Sequence, residues 1–202
     1  IWFGVVGWLS SLIITYSFKL LPMFYSSPRR AVKEAYWILI LFHLGVWSKA
    51  LTFWVEWPSL PYVAYALMLI SAVFMVRFVF QVRAQSRRKQ SEGAVRVALY
   101  LIPVMAVVSF IWMFLILLYP ERLDTLPLTE TMVLFLVLGW FSPTILSYLS
   151  KIVPFLWWAQ QFHTKWNKKS QVMLSDMAPE RKMTTVLLLY LAGITLVCAG
   201  FL

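Results

Sequence analysis

GWLSSLIITYSFKLLP, residues 7–22, recurs 132 positions later as GWFSPTILSYLSKIVP, residues 139–154. Seven of the sixteen pairs are identical: Gly7 and Gly139, Trp8 and Trp140, Ser10 and Ser142, Ile13 and Ile145, Tyr16 and Tyr148, Lys19 and Lys151, Pro22 and Pro154. Both copies are apolar enough to sit inside long helices, so the recurrence marks a duplicated architectural unit rather than a chemical motif.

The surrounding chain explains what kind of helix this is. Of 202 residues, 61% are hydrophobic and 13% are charged, and the mean hydropathy is +0.77; soluble domains carry about 25% charged residues. The composition demands a bilayer. Six runs are long enough for a hydrocarbon core that takes about 20 helical residues: 1–24, 35–55, 61–84, 97–119, 130–160 and 183–202. The expected fold is therefore all-α, a single transmembrane bundle with six spans. Because the chain opens and closes inside apolar runs, it is expected to be a piece of a longer protein.

Charge sets the orientation. The formal net charge of +10 does not indicate a nucleic-acid partner, because the basic residues sit between apolar runs. The first connection carries Arg29, Arg30 and Lys33, the third Arg83, Arg87, Arg88, Lys89 and Arg96, and the fifth Lys165, Lys168, Lys169, Arg181 and Lys182. The second and fourth carry Glu56, Glu121, Asp124 and Glu130 against Arg122 alone. Positive-inside bias puts the basic loops in the cytoplasm and both chain ends outside, in a bacterial inner membrane. Trp54, Trp57, Trp157, Trp158 and Trp166 fall at expected span ends, where amphipathic rings favour the headgroup zone. Cys198, the single cysteine, rules out an internal disulfide or a cysteine-based metal site.

At about 100° per residue, Gly7, Ser11 and Thr15 form a small-residue stripe, matched by Gly139, Pro143 and Ser147. Such stripes bring helix backbones close in lipid. Thr15, Tyr16 and Lys19 share the cytoplasmic half of the first span, and Ser147, Tyr148 and Lys151 repeat the arrangement. Two readings stand. Each lysine can snorkel and hold its helix in register, or Tyr16, Lys19, Tyr148 and Lys151 line a polar path for protons or an anionic group. Pro22 and Pro154 release the carbonyls of Phe18 and Ser150 and bias each helix to kink there.

The second span carries His43 near its centre, with Tyr36, Trp47 and Trp54 close to its face. A histidine at that depth is costly without a partner. It is either bonded to a neighbouring helix or a ligand, and neutral imidazole is the common protein ligand of haem iron. His163 lies in a basic interfacial segment and is a poor second ligand, while Lys49 and Arg77 lie toward span ends and can snorkel. Glycine-rich phosphate loops, paired-histidine zinc helices and nucleophile elbows are absent from the sequence.

The repeat relates the first and fifth spans, which run in the same direction, so one unit holds four helices. That period, with GVVGWLSSLIITYSFKLLPMF and its Tyr16, Lys19 and Pro22-Met23-Phe24, resembles the haem-copper oxidase subunit I superfamily, in particular its oxidase-like bacterial membrane proteins. The resemblance implies four-helix arcs enclosing pores, haem association and a place in a respiratory or electron-transfer complex beside other membrane subunits. His43 is the candidate haem ligand in this chain. No His-His pair follows on a later span, so a copper centre cannot be placed on these residues. Two other classes compete with this expectation: a transporter whose Tyr/Lys arcs attract an anion, and a non-catalytic packing subunit whose aromatic faces meet partner helices or lipid.

Overall fold

The computed structural model describes residues 2–28, 32–86, 93–118, 131–162 and 180–201, and among these the only regular elements are helices. Six long helices follow in order: α1 Trp2–Phe24, α2 Val32–Leu51, α3 Leu60–Ala84, α4 Gly93–Leu118, α5 Thr131–Gln160 and α6 Glu180–Phe201. Within α4 the apolar span is Gly93–Ile111, and within α6 it is Arg181–Gly200. With α1, α3 and α5 these make five helices long and apolar enough to cross a membrane. The chain is thus a multi-pass helical membrane protein. Helix α2 has 20 residues but is not among the five, because Lys33, Glu34, His43 and Lys49 dilute its apolar character.

The second helix also starts and ends earlier than its apolar run. Residues 52–55, expected inside the span, form a tight turn: the amides of Thr52, Phe53 and Trp54 bond carbonyls three residues back, and Thr52 Oγ1 donates to Lys49 O at 2.7 Å. A threonine hydroxyl that reaches the preceding turn offers the backbone an alternative to helix. Pro61 then falls in the first turn of α3, where its missing N–H costs nothing. The connection leaves Trp54 and Trp57 exposed.

Helices α1 and α5 share a backbone feature. Each contains a π-helical stretch, Trp2–Leu9 at the start of α1 and Phe135–Phe141 after one α-helical turn of α5, and each turns α-helical at the next residue, Ser10 and Ser142. These residues are one of the identical pairs of the repeated stretch. In α5 the Ser142 hydroxyl donates to Val137 O, five residues back, at 2.9 Å, which follows the wider π turn. Both helices continue through their prolines, Pro22 and Pro154.

The main core is built by α1 to α4. Ile14 and Leu21 of α1, Ile38, Phe42 and Val46 of α2, Phe78, Val79 and Val82 of α3, and Val95, Leu99 and Ile102 of α4 are buried together. Helix α5 adds Tyr148. A second cluster joins Ala94, Val97 and Leu101 of α4 to Leu187 of α6, with Trp140 packed against it. Helix α4 is therefore buried on two sides, whereas α6 is the least buried of the five apolar helices.

Close backbone approach explains the tightest contact. A Cβ on Gly45 would lie 2.5 Å from Met68 Cγ and 2.8 Å from Ala64 O, so only glycine lets α2 and α3 meet at this depth. Ser71 Oγ of α3 donates to Ile38 O at 2.8 Å across the same interface, and Ser86 Oγ donates to Tyr25 O at 2.8 Å. The first satisfies a buried hydroxyl that apolar surroundings would otherwise penalise. The basic and acidic loop residues Arg29, Arg30, Arg87, Arg88, Lys89, Lys165, Lys168, Lys169, Glu121, Arg122, Asp124 and Glu130, together with His163 and Trp166, lie outside the described residues.

Candidate functional site

His43 stands on the outer face of α2, in an exposed row with Tyr36, Ile40, Leu44 and Trp47. The spacing of four, seven and eight residues keeps the row on one side of the helix. Helix α1 borders it: Phe3 and Trp47 have ring centroids 5.1 Å apart, and Trp2 Nε1 donates to Val46 O at 3.2 Å. The contact is close because Gly7 carries no side chain; a Cβ there would come 3.3 Å from Val46 Cγ1. Phe42 meets the imidazole edge-on at 5.8 Å.

Three polar contacts form a chain around the imidazole. His43 Nδ1 lies 2.8 Å from Leu39 O, His43 Nε2 lies 3.2 Å from Ser11 Oγ, and Ser11 Oγ donates to Gly7 O at 2.5 Å. Both ends of this chain are carbonyls, which only accept. A neutral imidazole brings one hydrogen and the serine brings another, so two hydrogens must serve three contacts. Leu39 O only accepts, so Nδ1–H donates to it, and Nε2 accepts. The single Ser11 hydrogen then serves Gly7 O and Nε2 between them. The ring is oriented by a carbonyl on the side away from Nε2, as metal-binding imidazoles are.

The four residues of the expected polar path occupy two environments. Tyr16 is 56% exposed and Lys19 is also exposed, both on the outside of α1. Tyr148 is 5% exposed, and its hydroxyl lies 2.7 Å from Ser17 Oγ, which itself donates to Ile13 O at 2.6 Å. With the serine hydrogen used on Ile13 O, Tyr148 is the donor to Ser17. Lys151 is half-buried. The structure joins Tyr148 to Ser17 and does not bring Tyr16 and Tyr148 onto one lining.

The small-residue stripes divide the same way. Gly139, Pro143 and Ser147 are all buried, whereas Gly7 is buried, Ser11 half-buried and Thr15 exposed. The inner face of α5 also holds two buried polar atoms without a hydrogen-bond partner among the described residues, Trp140 Nε1 and Thr144 Oγ1, one turn apart. Nearby hydroxyls turn back on their own helix: Ser147 donates to Pro143 O at 2.6 Å and Ser150 to Ser147 O at 2.7 Å.

Ser11 and Ser17 carry these contacts and were not expected as site residues. Ser11 had a readable signal. It lies about as far before the connection between α1 and α2 as His43 lies after it, so the two share a depth in any antiparallel hairpin. Among the described residues no group of three or more His, Cys, Asp or Glu comes together. No family model, curated protein or solved structure matches the chain.

Proposed function

We propose that this protein is a haem-associated helical subunit of a respiratory or electron-transfer complex, with His43 as the protein ligand to iron. The reading takes α2 as a sixth span, the basic connections as cytoplasmic, and the bacterial inner membrane as the location, as positive-inside bias favours. One observation carries it: His43 Nδ1 sits 2.8 Å from Leu39 O, which orients the ring at mid-helix, with Nε2 on the other side 3.2 Å from Ser11 Oγ. An ionisable side chain at such a depth marks a functional site by default.

The residues present fit the group on chemical grounds. His43 supplies the nitrogen, Leu39 O orients the ring, and Phe3 and Trp47 provide apolar surface beside it. Ser11 would keep its bond to Gly7 O and yield the 3.2 Å contact. Bound there, haem would supply a one-electron centre. Among the described residues, His43 alone would hold it.

Absorption spectroscopy of the protein purified from a haem-replete host tests this. A Soret band is expected. His43→Gly should lose the band, and added imidazole should restore it. A purified protein without Soret absorbance contradicts the proposal, as does a band that His43→Gly leaves unchanged.

A further inference from the structure

Arg83 lies in the last turn of α3 and Tyr100 near the start of α4, and one contact between them fixes where the outer edges of these antiparallel helices meet. Arg83 Nη1 donates to the Tyr100 hydroxyl at 2.9 Å, and the guanidinium carbon stands 5.5 Å from the centre of the same ring. The hydrogen bond and the cation–π contact hold the guanidinium in one orientation. Both residues are exposed.

Tyr100 orients this cation without neutralising it. A phenol oxygen accepts from arginine while carrying no charge, so the guanidinium keeps its full charge and most of its N–H donors. Tyr100, the acceptor in this bond, keeps its own O–H to donate. Arg96 stands one turn earlier on the same exposed face of α4 and adds a second cation. An oriented arginine fork beside a hydroxyl donor suits the paired oxygens of a phosphate.

From this polar end the two helices continue as an apolar groove. On α3, Phe80 and Val73 are exposed and share an arc of about 80° with Arg83; on α4, Val107 and Phe110 are exposed and share a similar arc with Tyr100. Arg83 to Val73 and Tyr100 to Phe110 are each ten residues apart, about 15 Å at a rise of roughly 1.5 Å per residue. That is half of a hydrocarbon core about 30 Å thick. The groove thus has the length of one acyl chain, with cationic donors at the end where a headgroup lies.

We infer that the groove between α3 and α4 binds an anionic phospholipid, its phosphate on Arg83 and Tyr100 beside Arg96 and one acyl chain along Phe80, Val73, Val107 and Phe110. Basic pockets between spans bind anionic lipid headgroups in this way. A soluble phosphate would use only the polar end, and the apolar length beyond it is what selects a lipid. This inference does not depend on haem at His43.

Titration of the full chain in detergent with phosphatidylglycerol, followed by native mass spectrometry, tests it. Phosphatidylglycerol should bind more tightly than phosphatidylcholine. Arg83→Gln should weaken its binding about 5-fold or more, the scale of one interfacial cation, and Tyr100→Phe about 2- to 5-fold, the scale of one hydroxyl hydrogen bond. Lys19→Gln, which removes an exposed cation from α1, should change it less than about 2-fold, because a general field of positive charge is not the site. Val107→Trp fills the groove and leaves every polar group in place, and it should weaken binding as well. Excess glycerol phosphate should not compete. Four results would overturn the inference: no preference for phosphatidylglycerol over phosphatidylcholine, equal losses from Lys19→Gln and Arg83→Gln, no effect of Val107→Trp, or competition by glycerol phosphate.

Discussion

Helices α1 and α5 carry the same sixteen-residue pattern and the same change from π to α geometry, yet they expose opposite edges. Tyr148 is in the core and donates to Ser17, which is fully buried, whereas Tyr16 faces outward from α1. The difference comes from neighbours that do not repeat. Helix α5 lies against α4 and α1, and Phe24 and Ser17 of α1 receive Tyr148, while the matching edge of α1 stands exposed at Trp8 and Tyr16. A repeated sequence specifies a helix and its local turns; its environment is set by what packs on it.

Truncation of the two tyrosines gives the sharpest contrast. Tyr148→Ala should cost about 3–5 kcal/mol, the range for emptying a buried aromatic site. Tyr16→Ala should stay within about 0.5 kcal/mol, as for an exposed position. Thermal unfolding in one detergent measures both, and equal losses would mean that the two edges are equally buried.

The contrast extends to the helices that follow. Gly45 of α2 lies against Met68 and Ala64 of α3, whereas among the described residues nothing lies within 4 Å of where a Cβ would stand on Gly193 of α6. Gly45→Ala should destabilise by about 1–3 kcal/mol through overpacking. Gly193→Ala should be neutral or add up to about 1 kcal/mol by raising helix propensity. A comparable loss in both would show that α6 is covered where it is exposed here.

Hydroxyl removal tests the bond itself. Tyr148→Phe and Ser17→Ala should each cost about 0.5–1.5 kcal/mol, and the double variant should cost less than their sum, since both remove one interaction. Tyr16→Phe should cost nothing measurable. The smallest effect belongs to Thr144, whose buried Oγ1 has no partner among the described residues. Thr144→Val should be neutral or stabilising by about 1 kcal/mol, because it removes an unsatisfied group from an apolar site. A clear loss would show that a bound water or polar group completes Thr144 and Trp140.

The helices were legible in the sequence because bilayer spans need long apolar runs: five of the six runs correspond to helices long and apolar enough to cross a membrane, and the run at 35–55 to α2, which is not among them. Their ends were less so: apolar residues 52–55 continue the hydropathy of α2, but the Thr52 turn ends the helix. The candidate site was legible only in part. His43 stood out by depth, while Ser11 looked like one member of a packing stripe, since hydropathy does not report which hydroxyl faces which ring. Tyr16 and Tyr148 looked equivalent because identical spacing on a helix fixes an arc but not the neighbour that arc meets.

The most direct test of the account remains the imidazole of α2. The purified protein should show a Soret band that disappears in His43→Gly and returns with added imidazole, and Tyr16→Phe should leave it intact. Absence of the band in the unmodified protein, or its persistence in His43→Gly, would contradict the proposal that His43 ligates haem.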